Sequence, residues 1–413
     1  MALVVQKYGG ASLATPEKML YVTERVIKEW KKGNSVVVVV SAPGDTTDNL
    51  VDFASKMTKD PSEREMDVLL STGEQQSIAL ISMALISKGY SAVSFTGRQV
   101  GIITDTKHTQ ARIKSIRGIK KIKDALNKGY IAVVAGFQGI SEEGEAITTL
   151  GRGGSDLTAV ALAWALKADV CEFLKDVEGV YTANPAVVKD ARKIKCLSYD
   201  EMLELASSGA QVLYNRSVEY AKNYGVTLHV RGTFTSKKGT IIKKEDDRME
   251  KIIVSGITYS KKEAKVTVMD VPDKPGIAAH IFDKIADSGI NVDIIIQNVS
   301  RKGATDVSFT VFRKDVRKIK KLLDKIIKKI KAKGYTIDRK MGKVSIVGTG
   351  MRGHTGIASK MFNALARKKI NIEMISTSEI KVSVIVGEND TEKSVRALHS
   401  EFGLSGKKVK REK

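Results

Sequence analysis

The first half of the chain alternates short β-branched apolar runs with stretches whose apolar residues recur at helical spacing. Val4-Val5 opens the series as a strand. Thr15-Pro16 then supplies an N-cap and a first-turn proline, Met19, Val22, Val26 and Trp30 follow at helical intervals, and Gly33 closes the helix. Residues 35–40, a serine followed by an unbroken run of valines, have the pattern of a strand buried on both faces. Further strands are expected at residues 92–95, 131–135, 170–174 and 227–230, with helices between them. This alternation predicts an α/β fold with a mostly parallel sheet covered on both faces, whose ligand-binding loops follow the carboxyl ends of the strands.

From about residue 250 the texture changes. A strand, Gly-Ile-Ala loop, helix, Ile-Asn-Val/Ile, strand pattern occurs twice. Gly276-Ile277-Ala278 matches Gly356-Ile357-Ala358, and Ile290-Asn291-Val292 matches Ile370-Asn371-Ile372, both at an offset of 80 residues (356 minus 276, 371 minus 291). Such a duplication predicts two small ferredoxin-like βαββαβ modules. A chain of 413 residues exceeds what one core normally serves. We therefore expect a domain at 1–248, a first module with a leading strand at 249–340, and a second at 341–413. The Gly348-Thr349-Gly350-Met351-Arg352-Gly353 segment fits a dinucleotide fingerprint. The corresponding loop of the first copy lacks those glycines, so they read as turn residues.

Composition narrows the picture further. The formal charge of +22 raises the question of polyanion binding. Much of the excess lies in residues 313–333, where Val316, Ile319, Leu323, Ile326, Ile327 and Ile330 form an apolar stripe and lysines cover the other face, the pattern of a solvated helix. No apolar run is long enough to cross a bilayer and no signal peptide is apparent, so a cytoplasmic protein without a membrane partner is expected. Cys171 and Cys196 lack metal-ligand spacing and the histidines are scattered singly, so no protein-held metal is expected.

Several loops carry residues suited to phosphate or zwitterion chemistry. Lys7-Tyr8-Gly9-Gly10 directly follows the first strand. Paired glycines let backbone N–H groups approach a phosphate and the lysine adds a compact charge, although Gly-Gly after a strand is also the signature of a simple tight turn. No Gly-x-x-x-x-Gly-Lys-Ser/Thr is present, which argues against a P-loop NTPase. Gly151-Arg152-Gly153-Gly154-Ser155-Asp156 opens an apolar helix, whose N-terminus attracts anions while Arg152 offers a fork for carboxylate or phosphate. Residues 41–48, including Ser41 and Thr47, form a loop after the second strand. Ser71-Thr72-Gly73-Glu74 is expected at the start of a helix, where these residues could cap it or Glu74 could pair with an ammonium group. Residues 175–185, from Lys175-Asp176 to Tyr181 and Asn184-Pro185, could cradle a purine and ribose or form a plain turn.

Together these loops resemble the amino-acid kinase family and, within it, the aspartate kinases. The matching pieces are Lys7 to Gly10, Ser41-Ala42, Ser71 to Glu74, residues 96–102, Gly136-Phe137-Gln138-Gly139, Gly151 to Asp156 and Asp176 to Pro185. The duplicated half is similar to that family's paired ACT modules. The resemblance covers essentially the whole chain and implies a three-layer sandwich followed by two ACT modules. It also implies transfer of the ATP γ-phosphate to the β-carboxylate of aspartate. Lys7 would act on the transferring group, with Asp156 orienting it. Ser41, Thr47, Glu74, Arg152, Gly153, Gly154 and Ser155 would hold aspartate. Tyr8, Gly9, Gly10, Lys175, Asp176, Tyr181 and Asn184 would lie along the nucleotide with Lys7, and Mg2+ would be bound mainly through ATP. Three positions depart from the family pattern: Ala11 for a usual threonine, Asn184 for an aspartate and Gln211 for a lysine.

The same resemblance implies lysine or threonine as effectors between modules of neighbouring chains in a homodimer or higher oligomer. Asp273, Ala278, Ala279, Asn291, Gln297, Met351, Thr355 and Ile375 would surround the effector. Arg248-Met249-Glu250 falls where some relatives start a separate regulatory chain. Two other readings stay open. A sibling kinase with another acceptor would keep the glycine loops but need a different pocket. A basic nucleic-acid-binding protein would use the charge, but no aromatic stacking platform or recognition helix is evident, so no nucleic-acid partner is expected.

Overall fold

The computed structural model describes residues 1–144, 146–210, 212–246, 252–298 and 303–405. The expectations placed on Gln211 and on Arg248-Met249-Glu250 lie outside the described residues, as does the boundary between 248 and 249. The chain forms two compact units. One comprises Met1–Val180, Lys193–Ala206 and Gln211–Met249, the other Tyr181–Arg192, Ser207–Ala210 and Glu250–Lys413.

In the first unit an eight-stranded sheet runs in the order Cys196–Ser198, Thr240–Lys243, Leu228–Gly232, Val170–Lys175, Leu3–Tyr8, Ser35–Val40, Ile131–Ala135 and Ala92–Phe95. Every neighbouring pair is parallel except Leu228–Gly232 with Thr240–Lys243. The valine run explains the centre: Val36 to Val40 are all fully buried, because alternate side chains meet helices on opposite faces. Val36, Val38 and Val40 join the Pro16–Trp30 helix through Met19, Val22, Val26 and Ile27, and the Glu63–Ser87 helix through Ile78, Ile81 and Leu85. The Gly154–Leu166 helix packs against Leu3–Tyr8, Ser35–Val40 and Val170–Lys175 and supplies the third layer. Thr15 caps Pro16–Trp30 as expected, its hydroxyl accepting from Lys18 N. A second, four-stranded sheet of Ile113–Ile116, Ile102–Thr104, Gln138–Ser141 and Ile147–Thr149 stands beside the main one.

One local expectation is corrected. Ser71-Thr72-Gly73-Glu74 does not start a helix; it lies inside the 25-residue helix Glu63–Ser87. Gly73 is there for closeness, not to mark the start of a helix: a Cβ on it would sit 2.7 Å from the Ala42 Cβ.

The second unit holds two four-stranded antiparallel sheets. The first module is a complete βαββαβ unit, its strands ordered Val292–Gln297, Ala304–Phe312, Glu263–Pro272 and Gly334–Asp338, covered by helices Ile277–Asp287 and Val316–Ile330. Val316, Ile319, Leu323, Ile326 and Ile330 are buried along one stripe of the latter helix, as its periodicity requires. The second module differs from a simple copy. The strand Gly256–Ser260, which precedes the first module in sequence, pairs with Met341–Val347 and becomes the edge of the second module's sheet, Gly256 lying opposite Val347. The first helix of each module starts at a glycine in the left-handed region, Gly276 at φ +89° and Gly356 at φ +84°, so the duplication extends to backbone conformation. A Cβ on Gly348 would fall 2.3 Å from the Ile253 carbonyl oxygen, which gives this glycine a packing role. Among the described residues no helix is long and apolar enough to cross a membrane.

Candidate active site

At the carboxyl end of Leu3–Tyr8 the backbone turns through Gly10–Ser12. A Cβ on Gly10 would meet the Ala42 and Gly44 carbonyl oxygens at 2.8 and 3.0 Å, so the glycine loop and the loop after Ser35–Val40 can lie together only with hydrogen at that position. Gly44 N donates to Gly10 O at 3.0 Å and closes the contact. The Lys7 ammonium lies over Gly9.

Asp156 stands in the first turn of the helix Gly154–Leu166. Its Oδ1 is 2.6 Å from Lys7 Nζ, and its Oδ2 accepts from Lys175 Nζ at 3.0 Å. Two cations thus share one buried carboxylate. Burial raises the Asp156 carboxyl, but Lys175 and Lys7 overcome it and hold the group at about 2. Burial lowers the Lys7 ammonium below its ordinary value, and Asp156 offsets part of that. The sequence placed Lys175 only along a nucleotide; its pairing with Asp156 required knowing that its strand neighbours that of Lys7, where Lys7 lies opposite Phe173.

The loop before Asp156 is shaped by close approaches. Gly151 and Gly153 both have φ +74°, and a Cβ on Gly153 would enter the Tyr214 ring at 2.4 Å. A Cβ on Gly136 would meet the Ser155 Cβ at 2.7 Å, so the Gly136-to-Gly139 segment serves this loop by fitting under it. Ser155 is buried, whereas Arg152 is exposed and has no ion pair or hydrogen bond among the described residues.

Glu74 is 3% exposed. Its Oε1 accepts from Ala42 N at 2.9 Å, while its Oε2 is buried without a partner. Burial pushes this carboxyl up to about 7, against the Ala42 N–H and the nearby Lys7 charge. Ser41 is tied in from both sides: its N–H donates to Tyr8 O, and its carbonyl accepts from Ser77 Oγ. Thr47 lies in the first turn of the helix Thr46–Met57. Asp176 is exposed just beyond Val170–Lys175.

Lys7, Asp156, Lys175, Gly9, Gly10, Ser41, Thr47, Glu74 and Arg152 to Ser155 all belong to the first unit. Tyr181 and Asn184 belong to the second. There Asn184 organises a turn, its Oδ1 accepting from Ala186 N and its carbonyl from Val187 N and Val188 N. Ala183 and Val188 enter that unit's core beside Val254, Ile257 and Met361.

In the second unit a cavity of about 330 Å³ is lined by Asp273, Gly276, Ala278, Gln297 and their neighbours in the first module. Gly276 itself occupies the N-cap position of the following helix, and no side chain caps it, so Asp273 is not used as a cap. Ala279 and Asn291 are exposed outside the lining. Met351, Thr355 and Ile375 lie in the second module, Met351 within its core.

A lysine pair on a buried carboxylate, glycine loops and an arginine unpaired among the described residues are features suited to handling phosphate. Comparison with known proteins agrees. Residues 2–232 match the amino acid kinase family, and residues 265–330 and 344–402 each match the ACT domain. An aspartate kinase of Pseudomonas putida is 51% identical over 405 residues, covering 98% of each chain. An aspartokinase of Bacillus sp. strain MGA3 is 50% identical over 413 residues, the full length of both. The crystal structure of an aspartate kinase from Synechocystis, 42% identical, aligns with a TM-score of 0.55 over 99% of this chain and 71% of that one. That of the Clostridium acetobutylicum aspartate kinase, 26% identical, reaches 0.78 over 97% and 100%. The chain belongs to the amino acid kinase family, and is a phosphotransferase followed by two ACT domains.

Proposed function

We propose that the protein is an aspartate kinase, transferring the γ-phosphoryl group of ATP to the β-carboxylate of L-aspartate. The product is 4-phospho-L-aspartate, the first intermediate toward lysine, threonine and methionine, made in the cytoplasm. The observation that carries this reading is Glu74 Oε2, a buried carboxylate oxygen without a partner in a site otherwise rich in cations. An acceptor bearing an ammonium group answers it, and the free Arg152 fork answers the acceptor's α-carboxylate. Ser41, Thr47 and Ser155 complete the acceptor pocket.

A carboxylate nucleophile is already ionised at neutral pH, so catalysis reduces to positioning and charge neutralisation. A β-carboxylate oxygen attacks the γ-phosphorus in line, the bond to the bridging oxygen breaks, and ADP leaves with that electron pair. Lys7 and Lys175 neutralise charge on the transferring group and Asp156 holds both in place. Gly9 and Gly10 leave room for the phosphates, and Asp176 serves the nucleoside. Asp156 has both oxygens engaged by lysines, and no cluster of three metal-ligating side chains occurs among the described residues. These residues fit a Mg2+ carried by the ATP phosphates, which would add charge neutralisation there. A coupled ADP-release assay across aspartate, glutamate, acetylglutamate and nucleoside acceptors tests the reading; turnover confined to an acceptor other than aspartate sinks it.

The Glu74 carboxyl at about 7 makes acceptor capture pH-dependent. Protonation removes the charge that pairs with the ammonium group, so kcat/KM for aspartate should fall as pH drops through about 7, approaching tenfold per unit. Glu74→Gln should raise KM and flatten that limb. A parent-like acid limb in this variant would show that another group titrates.

The ACT modules are proposed to bind lysine, threonine or both, in a homodimer or higher oligomer that joins modules of neighbouring chains. Asp273, uncommitted to the helix behind it, would take the effector's ammonium group in the cavity with Ala278 and Gln297. Ala279, Asn291, Met351, Thr355 and Ile375 would complete the site across modules. Asp273→Ala should then lose most inhibition by the effector while keeping the uninhibited kcat. By linkage, aspartate should weaken effector binding by the factor that effector weakens aspartate binding. Calorimetric titration that detects neither amino acid binding to the parent protein would rule the site out.

A further inference from the structure

Asp67 lies one turn before Ser71 and two before Glu74 in the helix Glu63–Ser87, on the same buried face, and is 0% exposed. A carboxylate this deep is costly unless every lone pair is used. Asp67 uses them on two separate segments. Thr109 N donates to Oδ1 at 3.0 Å and to Oδ2 at 3.1 Å, and His108 Nδ1 is 2.7 Å from Oδ2. Thr149 Oγ1 donates to Oδ1 at 2.5 Å.

These partners lead directly to the glycine loop. Thr149 is two residues before Gly151. Thr109 is held at φ +62°, disfavoured for a β-branched residue, and its carbonyl oxygen lies 3.1 Å from where a Gly151 Cβ would be. Ala111 N donates to Thr149 O at 2.9 Å, and Arg216 ties Leu150 O to Ala111 O through its two terminal nitrogens. The loop at residues 105–112 is thereby strapped along the entrance to Gly151–Asp156, and Asp67 is the buckle that joins the strap to the helix bearing Glu74.

We propose that Asp67 is a positioning residue that fixes the spacing between Glu74 and the Arg152–Ser155 loop, and through it the length of acceptor the enzyme takes. This rests on the reading of that pocket as the acceptor site. Two anchors on separate elements measure an amino acid only if the distance between them is held, and one methylene is the difference between aspartate and glutamate. Asp67 touches no reactant, and Lys7, Asp156 and Lys175 sit on elements it does not bond.

Asp67→Asn keeps the side chain's size and removes its charge, and Thr149→Val removes a single bond. Both should raise the KM for aspartate, about tenfold for Asp67→Asn. The KM for ATP should stay within about twofold, and the preference for aspartate over glutamate should fall severalfold. Amide exchange of residues 105–112 and 147–153 should quicken in both. Equal rises in the two KM values would mark a general structural role and overturn the proposal, as would an unchanged aspartate KM. If Asp67→Asn does not fold, Thr149→Val carries the same comparison at smaller amplitude. If the parent protein turns over no aspartate, the functional reading fails by itself. The exchange comparison still decides the strap, which unchanged protection of residues 105–112 would refute.

Discussion

Lys7→Ala should lower kcat by about 10²-fold or more with little change in aspartate KM, because a charge aimed at the transferring phosphoryl group matters most in the transition state. The protein should remain folded. Asp156 keeps Lys175 as a partner, 3.0 Å away, so the substitution leaves no buried charge alone. Lys7→Arg should not restore the rate, since a planar guanidinium does not reproduce the compact point charge that lies over Gly9. The variant should also move the acid limb of kcat/KM. Lys7 helps to keep Glu74 ionised, so without it Glu74 titrates at higher pH and the limb shifts upward. Steady-state kinetics between pH 6 and 9 measure both effects. Near-parent turnover in a folded Lys7→Ala protein would remove Lys7 from the chemistry.

The parts of this architecture that were legible in the sequence are those whose signal is local. A valine run buried on both faces, a Thr-Pro helix start and an offset of 80 residues between two glycine-led helices are each contained in short windows. Glycine was the ambiguous letter. In Gly73 it read as the edge of a helix, yet its function is to admit Ala42 against the middle of one, a contact between residues 31 apart in sequence (73 minus 42). The strand Gly256–Ser260 gave no sign that its partner was Met341–Val347, because its own pattern is equally compatible with either sheet.

Within the candidate site, chemistry was readable residue by residue and pairing was not. Lys7, Glu74, Arg152 and Asp156 stand out as charges beside glycines. That Asp156 binds Lys175 as well as Lys7 follows from the order of strands, and that Asp67 reaches His108, Thr109 and Thr149 follows from the packing of one helix on the smaller sheet. Tyr181 and Asn184 show the converse. They adjoin Lys175-Asp176 in sequence, yet their segment folds into the core of the second unit.

Asp156→Ala tests whether the lysine pair is held against its own repulsion. Removing the carboxylate leaves two ammonium groups close together, that of Lys7 buried, and should cost about 3–5 kcal/mol, a fall in Tm on the order of 10 °C. The pH dependence separates this from simple loss of packing. Burial already lowers the Lys7 ammonium, and Asp156 is the main group opposing that, so the variant lowers it further. A lysine whose folded value lies below its unfolded value of about 10.4 binds fewer protons in the native state, and stability then rises with pH across that interval. The deficit of Asp156→Ala against the parent should therefore narrow between pH 7 and 9.5. Adding Lys7→Met should recover much of the loss at pH 7, since an apolar chain of similar length replaces an unpaired charge. The doubly substituted protein should be stable and still inactive, which separates the carboxylate's service to the fold from the lysine's service to phosphoryl transfer. A deficit below about 1 kcal/mol that does not vary with pH would mean that water already solvates the pair, and Asp156 would then owe its place to the reaction alone.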